Sequence, residues 1–219
     1  MGGGYSTSRG GWDGGGGGGG KPLETYDLIS QREGKRSEVD QVLTVSRDIQ
    51  NQYGVNLDTY VAKMNKAGAN TMAYYQSDAR NPDQGIVAVN RTFFDSNKMD
   101  AVYDDCVKKG FHPSRGNKSG MEAVVAHEMG HALTGQLASK QGGGYGSLDR
   151  TANQIMQDAK KSLNFKGQAS FIGRKISGYG GQNPAEAVAE AFSDVFCNGS
   201  KAKKESKAVV DALNKRLGG

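Results

Sequence analysis

Apolar positions along this chain recur with helical spacing in most places and with strand-like runs in one. Ser37-Glu38-Val39-Asp40 has the serine and early acid of a helix start, and Val39, Val42, Leu43, Ile49 and Tyr53 then form one apolar face up to Gly54. A second short helix is expected near residues 58–66, with Val61 and Met64 inward. The spacing then changes. Thr71-Met72-Ala73-Tyr74-Tyr75 and Ile86-Val87-Ala88-Val89-Asn90 read as strands, and Asn81-Pro82-Asp83-Gln84-Gly85 between them has turn chemistry. Together they predict a hairpin.

Helical spacing resumes at about residues 97–109 and stops at Gly110. Ser119-Gly120-Met121-Glu122 is a capping box that opens a longer helix, with Val125, Met129, Ala132 and Leu133 able to face a core. Another helix is expected from residue 147 to about 163, and residues 170–177 read as short and extended. Asn183-Pro184-Ala185-Glu186 opens a helix with asparagine at the cap and proline in the first turn. The final helix, about 201–217, turns Val209, Val210 and Leu213 inward and Lys201, Lys203, Lys204 and Lys207 to solvent. The class is α+β, mostly helical, with a small sheet beside the helix that begins at Ser119.

Composition changes this picture only at the amino end. The chain has 219 residues and 33 glycines, many of them among residues 1–20, which include seven consecutive glycines. Such a segment has no apolar face to bury. Residues 1–36 are therefore expected to be a flexible tail and linker, and residues 37–219 one domain. Trp12 in the tail reads either as a docking anchor or as idle. The opening Met1-Gly2 with Ser6 fits a myristoylation pattern, but so glycine-rich a segment matches it by accident.

The net charge of +5 permits contact with acidic surfaces, and no aromatic-studded basic strand points to a specific nucleic acid. Cys106 and Cys197 have no metal-binding spacing and read as buried thiols, with a disulfide left open. No apolar run reaches membrane-spanning length and no signal peptide pattern precedes the domain. The expected location is cytoplasmic, virion-associated, or outside the cell by a leaderless route.

The candidate chemistry lies in His127-Glu128-Met129-Gly130-His131. On a helix, positions i and i+4 share a face, so both imidazoles can reach one zinc ion while Glu128 reaches a water beside it. A catalytic zinc site needs a third protein ligand. A histidine continuing the pattern is excluded, because Thr134 and Leu137 occupy those positions. Glu186 and Glu190, one turn apart on the later helix, are the remaining candidates. On spacing alone Glu186 also reads as a first-turn acid and Glu190 as exposed. His112 reads as a packed or solvent-facing loop residue, and Tyr179 as a loop anchor between glycines. Gly130 reads as a place where the missing side chain lets another element come close.

The run from Tyr179 through Asn183-Pro184-Ala185-Glu186-Ala187-Val188-Ala189-Glu190-Ala191-Phe192 resembles the second motif of the gluzincin metallopeptidases. It is similar in particular to the catalytic domain of anthrax lethal factor and its relatives, which pair H-E-x-G-H with N-x-A-E-x-x-A-E-A-F. A weaker likeness is to zincin domains of phage head-associated proteins and bacterial toxins. The likeness covers residues from about 70 to 197.

The resemblance implies a zincin-like fold and a zinc-dependent endopeptidase acting on a protein or peptide. It implies Glu186 as third zinc ligand, Glu190 as the acid that orients a ligating histidine, and Tyr179 as an oxyanion stabiliser. Glu128 would be the general base toward a metal-activated water. Zincins usually bind substrate as an added strand, and Ile86, Val87, Ala88 and Val89 are the expected edge. The competing expectation is a non-catalytic virion or effector component with a zincin fold, docked to a virion or delivery machine through its glycine-rich tail. Self-processing of that tail is a third.

Overall fold

Capping chemistry and apolar stripes place most helices where the sequence expects them. The computed structural model describes residues 21–22, 36–62, 70–77, 84–142 and 147–218. The glycine tail, Trp12, the myristoylation pattern, turn residues 81–83 and loop residues 143–146 lie outside these. Helix α1 (Arg36–Tyr53) buries Val39, Val42, Val45 and Ile49 on one face. Helix α2 (Ser96–Lys108) starts where the Asp95 side chain accepts a bond from the Lys98 amide at 3.0 Å.

Helix α3 (Gly120–Lys140) opens with both bonds of its capping box. The Ser119 hydroxyl accepts from the Glu122 amide at 3.1 Å, and the Glu122 carboxylate accepts from the Ser119 amide at 2.8 Å. Helices α4 (Ser147–Ser162), α5 (Ser170–Ile176), α6 (Pro184–Asn198) and α7 (Lys204–Leu217) follow. Among the described residues, no helix is long and apolar enough to cross a membrane.

The sheet has strands β1 (Lys21–Pro22), β2 (Asn56–Ala62), β3 (Ala73–Ser77) and β4 (Gln84–Asn90), in the order β1-β2-β4-β3. The expected hairpin is present: β3 runs antiparallel to β4, with Tyr75 opposite Val87. Four expectations need correcting. The helix expected near residues 58–66 is not formed by residues 58–62, because residues 56–62 are β2, parallel to β4, while residues 63–66, Met64 among them, lie outside the described residues. The alternation there is strand-like, with Leu57, Thr59 and Val61 buried and Asp58 exposed. Residues 170–177 are not extended, because Ile172 and Ile176 share the buried face of α5. Lys21 and Pro22, placed in the linker by composition, pair with β2. Lys203 is not merely solvated: its Nζ donates to the carbonyl of Ile176 at 2.6 Å, closing the end of α5.

Helix α3 is buried along most of its length, its histidine face included, because α6, α1, α4, β3 and α2 all pack against it. The approach of α6 depends on Gly130. A Cβ there would lie 2.8 Å from the Cα of Ala189 and 3.1 Å from the Cβ of Phe192. Gly130→Ala is expected to lower the thermal unfolding midpoint. Overpacking against backbone costs about 1–3 kcal/mol, more than the roughly 0.5–1 kcal/mol of helix propensity that alanine adds. An unchanged or raised midpoint would mean that the two helices have room to part. Cys106 is buried and Cys197 half-buried, and no disulfide joins them.

Candidate metal centre

His127 and His131 leave α3 one turn apart, and α6 brings Glu186 to them. The start of α6 is set locally: the Asn183 side chain accepts from the Glu186 amide at 2.9 Å, and Pro184 fills the first turn. With its amide capped this way, the Glu186 side chain turns inward. Its Oε2 lies 3.2 Å from Nε2 of His127 and 3.1 Å from Nε2 of His131. One ligand atom from each of the three residues lies within 4.8 Å of the others. All three are buried. The reading of Glu186 as only a first-turn acid therefore falls.

Glu190, one turn further along α6, is buried rather than exposed. Its Oε1 lies 2.7 Å from Nδ1 of His127, close enough for an ion pair. The same oxygen lies 2.9 Å from Nδ1 of His112. Its Oε2 accepts from the Ser177 hydroxyl at 2.7 Å. Tyr179 is buried, with its ring 5.7 Å from that of His127 and tilted by 30°. A backbone ladder holds it: the Gly178 amide donates to the Gly110 carbonyl at 2.8 Å, and the Tyr179 amide to that of Phe111 at 3.0 Å. The ladder joins the segment before α3 to the segment before α6, so His112 and Tyr179 meet with ring centroids 5.5 Å apart.

Sequence reasoning missed His112 and Ser177. A lone histidine far from the pentad carries no spacing signal, and nothing local marks Ser177.

Burial and charge set the protonation of the metal-free cluster. Burial would raise the Glu186 carboxyl, but His131 and His127 outweigh it and hold the group well below the usual carboxylate range. Burial likewise opposes His112 and His127 at Glu190, which they hold at about 2. Burial would lower His127, yet Glu186 and Glu190, one at each ring nitrogen, raise it to about 10. Glu128 differs. It is fully buried, neither carboxylate oxygen is paired with another side chain, and burial lifts it to about 7. The nearby imidazoles and the Tyr75 backbone on β3 work against that rise, while Glu186 adds to it.

These shifts fix the sign of the acid response. Glu190 ionises more readily folded than unfolded, so its stabilisation is complete above about 4.5 and is lost as pH falls through about 2. Chelated protein is therefore expected to lose thermal stability steadily across that interval. A midpoint that stays flat there would show that the carboxylate is not held by imidazolium.

In the metal-free protein a carboxylate only accepts, so the two Nε2 atoms facing Glu186 must bring protons to it. Those protons sit where three lone-pair donors converge, and two imidazoles with one carboxylate suit a divalent cation. His127, His131 and Glu186 could thus hold a metal ion.

The expected substrate edge is misplaced. Ile86, Val87, Ala88 and Val89 lie in β4, which is paired on both sides by β2 and β3, so its backbone cannot accept an added strand. The sheet edge beside α3 is β3. Tyr75 on that strand packs over α3 so closely that a Cβ on Gly135 would lie 2.8 Å from its hydroxyl. No family model, curated protein or solved structure matches this chain.

Proposed function

We propose that this chain is a zinc-dependent endopeptidase of the gluzincin type. One observation carries the reading: His127, His131 and Glu186 converge in a buried cluster, with Glu128 beside them on α3 and no side chain paired with its carboxylate. A site that only stored metal has no use for that acid, and burying it without a charged or side-chain partner is costly. Zinc, when bound by these three residues, supplies a Lewis acid and a water acidified to a pKa of about 7.

The chain's own groups do the rest. Glu128 takes a proton on a carboxylate oxygen and returns it to the leaving amine. Glu190 holds His127 through Nδ1, which leaves Nε2 for the metal. Tyr179, buried against His127, is the group proposed to stabilise the oxyanion. The substrate is a protein or peptide, and β3 replaces β4 as the edge proposed to receive it.

A second reading has an observation of its own. His127, Glu128 and His131 are each at most 2% exposed, which suits a zincin fold kept for structure or interaction in a virion or effector particle. The test is a peptide-library cleavage profile of zinc-loaded protein, with and without chelator. Chelator-sensitive cleavage supports the peptidase. Metal binding with no cleavage of any library member would leave the non-catalytic reading.

A further inference from the structure

We infer that His112 is a positioning residue of the metal centre, acting through Glu190 on His127. The inference rests on reading His127, His131 and Glu186 as the metal ligands. A carboxylate held by one partner can rotate; held at both oxygens from separate elements, it cannot. Glu190 is held in that way. His112 donates from Nδ1 to Oε1 at 2.9 Å, beside the Nδ1 of His127 at 2.7 Å, and Ser177 donates to Oε2 at 2.7 Å. The Ser177 oxygen is itself fixed by the Gly180 amide at 2.9 Å.

His112 is as immobile as its partners. It is buried, stacked on Tyr103 at 5.2 Å with 9° between the rings, and met edge-on by Phe111 at 5.0 Å. Its Nε2 is buried with no partner. A phenylalanine in the same stack would avoid that loss, so the Nδ1 bond to Glu190 is what a histidine adds. His112 is not among the three residues whose ligand atoms converge, so its effect passes through Glu190. Partners that orient a ligating histidine typically change metal affinity by about 10–100-fold when removed.

The test uses the full chain and two metals. His112→Phe keeps the stack and loses the donor. His112→Asn places an amide nitrogen near the position of Nδ1, whereas His112→Gln overlays Nε2. Zinc affinity, read by competition with a chromophoric chelator, is expected to fall about 10–100-fold in H112F and H112Q and to recover in H112N. The visible spectrum of cobalt-loaded protein should shift in the first two and return in the third. If H112F does not fold, H112Q carries the loss arm alone. Zinc affinities within twofold of the parent in both, with an unchanged cobalt spectrum, would overturn the role of His112 and leave the metal centre standing. A parent chain that binds neither zinc nor cobalt would overturn the metal centre itself, and this role with it.

Discussion

Under the proposed peptidase chemistry, Glu128→Gln is expected to keep zinc binding and lose hydrolysis. The amide has nearly the shape of the carboxylate, and Glu128 is neither among the converging ligand atoms nor paired with another side chain through its carboxylate oxygens. Nothing that holds the cluster together is removed. The change takes a buried ionisable group from α3, so metal-free stability should be maintained or rise. What disappears is the oxygen that accepts and returns a proton, and loss of a general base typically lowers turnover by about 10²–10⁴-fold. Zinc content per chain and cleavage of a peptide found by library profiling are the two measurements. Full zinc with undiminished cleavage would remove Glu128 from the mechanism. Lost zinc would instead mean that this acid belongs to the metal's support.

Glu186→Ala should be the most damaging change to metal binding, with Glu186→Gln less severe. Glu186 supplies one of three converging ligand atoms and is the carboxylate shared by both imidazoles. The loss of zinc affinity should exceed the roughly 10–100-fold typical of groups that only orient a ligand. The metal-free protein should also weaken. Removing one partner of a buried ion pair commonly costs about 3–5 kcal/mol, though here Glu190 still faces His127. The alkaline response gives a second signature. His127 is raised to about 10, so its stabilisation is complete below about 6.5 and is lost as pH rises through about 10. Without Glu186 that loss should move to lower pH. Calorimetry of chelated parent and variant between pH 6 and pH 11 reads the shift, and superimposable curves would show that Glu186 does not hold His127 charged.

Much of the site could be read from short stretches of sequence, because the forces that place it are local. Ser119 with Glu122, and Asn183 with Pro184, start their helices through bonds made within one turn. The four-residue spacing puts His127 beside His131 with rings 4.9 Å apart. Gly130 signalled a close approach because only a missing side chain permits one, and Ala189 fills that space.

Long-range pairing decided the remainder. β2 became a strand because β4 offered it a parallel ladder, and that same ladder moved β4 from the edge to the interior of the sheet. Thr59, Tyr60 and Val61 favour a strand locally, and pairing with a partner distant in sequence makes that preference decisive. Glu190, His112 and Ser177 could not be joined from the sequence, since their contacts span 78 and 13 residues and depend on a backbone ladder between two loops. The chain alone therefore specified the histidine pentad and the helix that answers it. The tertiary fold alone decided which strand borders the site and which side chains hold the ligands still, because those outcomes depend on surfaces that exist only after the helices and strands have met.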